Sequence, residues 1–129
     1  MTAVRYFSRS GHTKAVAEAI AEAAGTQAVS VDSENAAISK PVDILFIGAA
    51  IYAYGLDKHM KKFLSGIEKE NVKKAVVFST SRFSKHGLAL LKKAMQEKGI
   101  PVVDETFYAK GNPGSDDLEA AKRFAQKFI

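Results

Sequence analysis

Ala3-Val4-Arg5-Tyr6-Phe7-Ser8-Arg9-Ser10-Gly11-His12-Thr13 changes character twice in a short space. Its first five residues are apolar, β-branched or aromatic apart from Arg5, and the small polar cluster Ser8 to Ser10 ends them, so Ala3 to Phe7 reads as a strand. From Gly11 to Ala24 the apolar residues Val16, Ala19, Ile20 and Ala23 recur at intervals of three and four, the period of a helix, and Gly25 closes it. A strand passing through a short polar loop into a helix is the opening unit of an alternating α/β fold.

The alternation continues along the chain. Gln27 to Val31 is a second short strand, and Asp32 to Lys40 leaves room for only a stunted helix before Pro41. Asp43 to Ala49 carries the continuous apolar run Ile44-Leu45-Phe46-Ile47, the pattern of a strand buried on both faces. Leu56 to Ile67 is amphipathic through Met60, Phe63, Leu64 and Ile67, and Lys74 to Thr80 is the next buried strand. His86 to Lys98 is a helix with Leu88, Leu91 and Met95 inward, capped by Gly99. Pro101 to Tyr108 reads as the last strand, and Ser115 as the N-cap of a last helix that turns Leu118, Ala121, Phe124, Ala125 and Phe128 inward. Five strands with five crossovers or terminal helices predict a parallel sheet covered on both faces by right-handed connections. Ligands of such sheets sit at the carboxyl ends of the strands, where strand order reverses. The loops that begin at Ser8, Ala50, Thr80 and Lys110 are therefore the candidates.

The 129 residues form one domain, 1–129, large enough to bury a core without staples. The absence of cysteine excludes disulfides, cysteine-ligated zinc, iron–sulfur clusters and a thiol nucleophile. Apolar runs are too short for a membrane span and the N-terminus has no signal-peptide pattern, so a cytoplasmic protein is expected. Lys and Arg number 19 against 14 acids, a net charge of +5. The lysines fall in doublets, Lys61-Lys62, Lys73-Lys74 and Lys92-Lys93, dispersed over the predicted helices with acids between them. That dispersal reads as solvated helix faces ahead of a functional basic patch.

Ser8-Arg9-Ser10-Gly11-His12-Thr13 supplies three hydroxyls and a glycine at a helix N-terminus. Unpaired N–H groups there, the helix dipole and close backbone approach at Gly11 suit a phosphate dianion. An ordinary cluster of capping residues has the same composition. The loop lacks the glycine and lysine spacing of a Walker loop and the three glycines of a dinucleotide fingerprint. Arg9 either adds a charge-assisted contact or points to water, with water favoured, and His12 reads as a rim residue. After the third strand, Ala50-Ile51-Tyr52-Ala53-Tyr54-Gly55 offers two tyrosines suited to stacking on a flat ligand, or to half-buried packing.

Val4 to Ala24 resembles the first strand, phosphate loop and first helix of flavodoxins, matching at Ser8, Ser10, Gly11 and Thr13, and the whole chain fits the short-chain flavodoxin layout. The resemblance implies a three-layer flavodoxin-like sandwich, α/β, with a five-stranded parallel sheet in the order 2-1-3-4-5. It implies FMN as cofactor, its phosphate in the loop Ser8 to Thr13 and its ring along Ala50 to Gly55. It assigns Thr80-Ser81-Arg82-Phe83 to the second ring loop, with Phe83 on the outer face and Arg82 beside the ring or solvated. Gly48 to Tyr52 is also similar to the loop of the menaquinone-dependent protoporphyrinogen oxidase group, whose later insertion this chain lacks. The expected function is transfer of one or two electrons through bound flavin to a redox partner protein or a small-molecule acceptor. The alternative is an FMN-dependent oxidoreductase acting on a quinone or porphyrinogen.

Two departures bear on partners: many flavodoxins are acidic around the flavin and carry a tryptophan, whereas this chain is basic and has none. A basic single-stranded nucleic-acid-binding module, with Tyr52, Tyr54 and Phe83 stacking on bases, is the rival from another class; its basic residues lie on several helices, which makes nucleic acid unlikely. A cofactor-free scaffold on the same fold also remains open. A phosphorelay receiver would need acids after the first strand and an aspartate ending the third, where Ser8-Arg9 and Gly48-Ala49 stand.

Overall fold

Strands with continuous apolar runs such as Ile44 to Ile47 and Ala75 to Phe78 cannot leave either face in water, and the chain answers with helices on both. In a computed structural model that describes residues 1–50, 55–81 and 85–129, the order is β1 (Thr2–Phe7), α1 (His12–Ala24), β2 (Ala28–Ser30), β3 (Val42–Ala49), α2 (Lys58–Gly66), β4 (Val72–Ser81), α3 (His86–Glu97), β5 (Phe107–Lys110) and α4 (Ser115–Gln126). A short 3₁₀ turn, Lys69–Asn71, precedes β4. The five strands are parallel in the order β2-β1-β3-β4-β5.

Alternation along each strand divides the core. Leu45 and Ile47 of β3 and Ala75 and Val77 of β4 point to α2 and α3, where Met60, Leu64, Leu91 and Met95 meet them. Ile44, Phe46, Val76 and Phe78 point the other way, to Val16 and Ile20 of α1 and Ala121 and Phe124 of α4. Gly48 lies in register with Phe78, and the phenyl ring fills the space a side chain would take: a Cβ there would stand 2.1 Å from a ring carbon. Glycine at 48 is thus the condition for a fully buried phenylalanine on β4.

Three features differ from the sequence reading, each for a physical reason. The crossover 31–41 holds turns and no helix; Arg5 Nε donates to Ala36 O at 2.6 Å and Asn71 Nδ2 to Ile38 O at 3.1 Å, satisfying carbonyls that a helix would pair. Four α-helices, not five, are therefore present among the described residues. The expected strand Pro101 to Tyr108 is interrupted: Val102 bridges Ala75, but pairing resumes only at Phe107, opposite Phe78. The exposed acids Asp104 and Glu105 occupy the extra length, and Lys127 Nζ donates to Glu105 at 2.8 Å. Helix α4 is capped by Gly114, not Ser115, because the Gly114 carbonyl takes the first helical bond from Leu118 N–H at 3.1 Å and the Gly114 N–H donates to Asp117 Oδ2 at 3.0 Å.

Gly48→Ala should lower stability by about 2 kcal/mol, the scale of overpacking a buried site. Urea unfolding of the variant checks this, and an unchanged midpoint would show that Phe78 yields freely.

Candidate functional site

The sheet reverses direction of growth between β1 and β3, since β2 lies on one side of β1 and β3, β4 and β5 follow on the other. Register sets Phe7 beside Ala49 and Ala49 beside Ser79, so the segments after Phe7 and Ala49 leave the sheet side by side, while β4 runs on past the expected loop start, pairing Thr80 and Ser81 with Ala109 and Lys110 of β5. The Ser79 hydroxyl donates to the Ala49 carbonyl at 2.6 Å and fastens the ends of β3 and β4 together.

Gly11, at φ 91° and ψ −4°, is the N-cap of α1. The left-handed conformation favours glycine, and glycine brings no side-chain acceptor to the first turn. Among the described residues the amides of Ser10, Thr13 and Lys14 consequently have no protein acceptor. The loop satisfies itself only in part: Gly11 N–H donates to Ser8 Oγ at 2.9 Å, and His12 N–H to Ser10 Oγ at a long 3.5 Å. A helix start with its donors unspent and its dipole uncompensated is suited to an anion. Ser10 and Gly11 are exposed, Ser8 and His12 half-exposed, so the helix start is open to solvent.

Thr13 behaves differently. Its side chain is buried, and Thr13 Oγ1 lies 2.6 Å from Thr80 Oγ1, itself buried. The two hydroxyls pin the start of α1 to the end of β4, across β3. What Thr13 offers to the loop mouth is its amide. Beyond Thr80, the Ser81 carbonyl accepts from Tyr108 Oη at 2.7 Å and from Gly111 N–H at 3.0 Å, which fixes the edge of the sheet.

A second cluster joins the loop to α2. Arg9 Nη2 donates to Asp57 Oδ2 at 2.6 Å, and the other carboxylate oxygen accepts from the His59 amide and lies 2.7 Å from His59 Nδ1. The His59 ring stacks on Phe7, centroids 5.0 Å apart. Asp57 is buried and caps α2. Burial pushes its pKa up, but the hydrogen bond from Arg9, those from the His59 amide and ring, and the Arg9 charge outweigh it and hold the carboxyl at about 2. Arg9 therefore does not point to water as expected: a buried carboxylate in reach is a stronger partner for a guanidinium.

The structure thus brings together Ser8, Arg9, Ser10, Gly11, His12, Thr13, Ala50, Thr80 and Ser81, with Gly55 just ahead of Asp57. Ile51, Tyr52, Ala53, Tyr54, Arg82 and Phe83 lie outside the described residues. Asp57 and His59 lie outside the candidates that the sequence singles out, since the amphipathic stretch read from Leu56 contains both; an aspartate ahead of Met60 and Leu64 is an N-cap signal that finds the first of them. Gly48 and Ala49, which begin the porphyrinogen-oxidase-like stretch, are core positions of β3 whose identities packing explains. A groove of about 350 Å³ lies elsewhere, between residues 31–38 and α2, where the crossover has no helix to fill it.

A parallel sheet of this order, with a glycine-led helix start at its switch point, is a doubly wound architecture of which flavodoxins are an example. A family model described as Flavodoxin domain matches residues 3–129, and the chain belongs to that family. It is 28% identical to an uncharacterised protein of Methanocaldococcus jannaschii, over 92% of this chain and 90% of that one. Among solved structures it is similar to oxidised Flavodoxin 1 from Bacillus cereus, with a TM-score of 0.82, 26% identity, and 98% of this chain and 95% of that chain covered. A flavodoxin from the domain Archaea shares the fold at a TM-score of 0.81 and 24% identity, with 98% and 95% covered. Rubredoxin oxygen:oxidoreductase from Desulfovibrio gigas shares it at 0.82 and 19% identity, this chain matching by 97% of its length but only 34% of that chain. No helix among the described residues is long and apolar enough to cross a membrane.

Asp57 generates a prediction with a definite sign. Its folded pKa lies below the usual 3.8, so its contribution is complete above about pH 4 and is lost as pH falls toward about 2. Asp57→Asn keeps a capping side chain but removes the charge. It should cost about 1 kcal/mol at pH 7, allowing for solvent screening of the half-exposed Arg9, and flatten the stability profile between about pH 4 and 2. Urea midpoints across that range measure both, and an acid limb parallel to wild type would contradict the assignment.

Proposed function

We propose that this chain binds FMN at the carboxyl edge of its sheet and passes one or two electrons between a reduced donor and an acceptor. The observation that carries the reading is the helix start at Gly11, whose neighbouring amides of Ser10, Thr13 and Lys14 lack acceptors at the β1/β3 switch point of a chain in the flavodoxin domain family. The donor set fits a phosphate monoester: amide N–H groups and the Ser8 and Ser10 hydroxyls lie together at an exposed helix start, and the dipole of α1 favours its charge.

When bound, FMN supplies one- and two-electron redox chemistry; the chain binds, orients and shields it. The Ser8 and Ser10 hydroxyls, which accept from loop amides in the structure, would hold the phosphate as donors to its oxygens. The Thr13–Thr80 bond keeps the phosphate loop at a set separation from the end of β4, so a ligand held at one end is placed at the other. By the family resemblance, the segments Ala50 to Gly55 and Thr80 to Phe83 would flank the flavin ring. Within them Tyr52, Tyr54 and Phe83 supply stacking faces, and Arg82 supplies positive charge, on the strength of the family resemblance. Arg9, neutralised by Asp57, steadies the loop from outside the cradle.

Phosphate recognition separates this reading from a plain aromatic cleft. FMN should bind at least a hundredfold more tightly than riboflavin, about 3 kcal/mol, in titrations followed by quenching of flavin fluorescence. Gly11→Val, folded by circular dichroism, should collapse that ratio, because a β-branched residue resists the left-handed angle that orients the amides. Equal affinities for the two flavins in wild type would overturn the reading.

A further inference from the structure

We propose that the outer face of α2 and α3 docks an acidic protein partner, a role that goes beyond flavin binding and does not depend on it. The net charge of the molecule is divided unequally between its two helical layers. Helix α2 carries three lysines and no acid, and α3 two lysines against Glu97. On the other side of the sheet, α1 carries one lysine against two glutamates, and α4 one lysine and one arginine against three acids. The excess of positive charge is therefore concentrated on one face rather than spread.

The arrangement on α2 is specific. Lys58, Lys61 and Lys62 are exposed at helical spacing, on the side opposite the buried Met60 and Leu64, so they form one outward stripe. Lys93 is exposed on the neighbouring helix and Lys92 half-exposed. Among the described residues none of these five lysines makes an ion pair, whereas Lys122 and Lys127 near the opposite layer pair with Glu22 and Glu119, and with Glu105. Local helix energetics do not account for the stripe. Lys58 occupies the first position of α2, where the dipole disfavours a cation, and the first turn has no acid. Lys98 Nζ donates to the Ser65 carbonyl at 2.8 Å and clips the end of α3 to the end of α2, so the two helices present their lysines from one fixed surface.

The chemistry favours carboxylates on a protein over other polyanions. The charged cations that α2 and α3 themselves carry are all lysines, strongly hydrated point charges, and neither helix holds the planar guanidinium that grips phosphates in pairs. No exposed large apolar side chain lies on α2 or α3 to enter a bilayer. The groove between the helices, about 400 Å³, is lined by Leu56, Leu64 and Ala94 with Lys61 and Lys98 against the single acid Glu97, an apolar recess with a net positive lining. The stripe begins at Lys58, directly after Asp57, so an acidic partner seated on it stands beside the carboxyl edge of the sheet.

The test uses the purified full chain and a fluorescently labelled helical peptide of twenty residues with glutamate at i, i+3, i+4 and i+7, followed by anisotropy. The triple variant Lys58→Ala, Lys61→Ala, Lys62→Ala should bind at least tenfold more weakly than wild type. The control triple Lys40→Ala, Arg123→Ala, Lys127→Ala, which removes the same charge elsewhere, should change affinity less than twofold. Circular dichroism confirms that both variants fold, and raising salt from 50 to 300 mM should weaken wild-type binding by at least tenfold as the Debye length shortens. Equal losses in the two triples would overturn the proposal by making net charge the cause. So would tighter binding to an oligothymidine of twenty nucleotides or to phosphatidylserine vesicles than to the peptide. Self-association of wild type in sedimentation, abolished only by the α2 triple, would assign the face to a second copy of the chain and equally overturn it. No arm uses flavin, so failure here is distinct from failure of the FMN reading.

Discussion

Burial on both faces of β3 and β4 is the constraint from which the rest follows. Leu45, Phe46, Ile47, Val76, Val77 and Phe78 have no measurable exposure, so each side of the sheet needs a layer of helix. Covering both sides of a parallel sheet requires right-handed crossovers that start on one side of β1 and finish on the other. The reversal opens the sheet between the ends of β1 and β3, and nothing in the core can close it. Gly48 belongs to the same constraint, since Phe78 fits over β3 only where that strand has no side chain.

The site is an extension of this frame rather than an addition to it. Gly11 turns the chain from β1 into α1 through an angle that leaves the first helical amides unpaired, and the Thr13–Thr80 bond ties that turn to the far side of the opening. On the near side, Asp57 draws Arg9 and His59 together, and His59 rests on Phe7 at the end of β1. Three strand ends are thereby cross-linked by polar contacts with little freedom. A pocket so braced loses less entropy when it takes a ligand than one that must order itself first.

Much of this was legible in the residues. Apolar runs marked β3 and β4, three-and-four spacing marked α1, α2, α3 and α4, and Gly25 and Gly99 marked two helix ends, where both adopt positive φ. The turn from β1 into α1 was legible because its residues are local: serine, glycine and threonine between a strand and a helix. What escaped was non-local. The break in β5 depends on how Val102 and Phe107 register against β4, which the β-branched run Val102-Val103 conceals. The bare crossover 31–41 rests on Arg5 and Asn71, far away in sequence. The pairing of Arg9 with Asp57 spans 48 positions, and neither residue announces the other. Helix propensity likewise said nothing of how charge would divide once α2 and α3 shared a face.

The central claim is that the amides at the start of α1 receive a phosphate. Amide proton–nitrogen NMR spectra recorded through an FMN titration address it residue by residue. The account predicts that the largest shifts fall on Ser10, Gly11, Thr13 and Lys14, and that inorganic phosphate alone moves the same amides in the same direction. Shifts confined to other segments, with the amides from Ser10 to Lys14 unmoved at saturation, would contradict it.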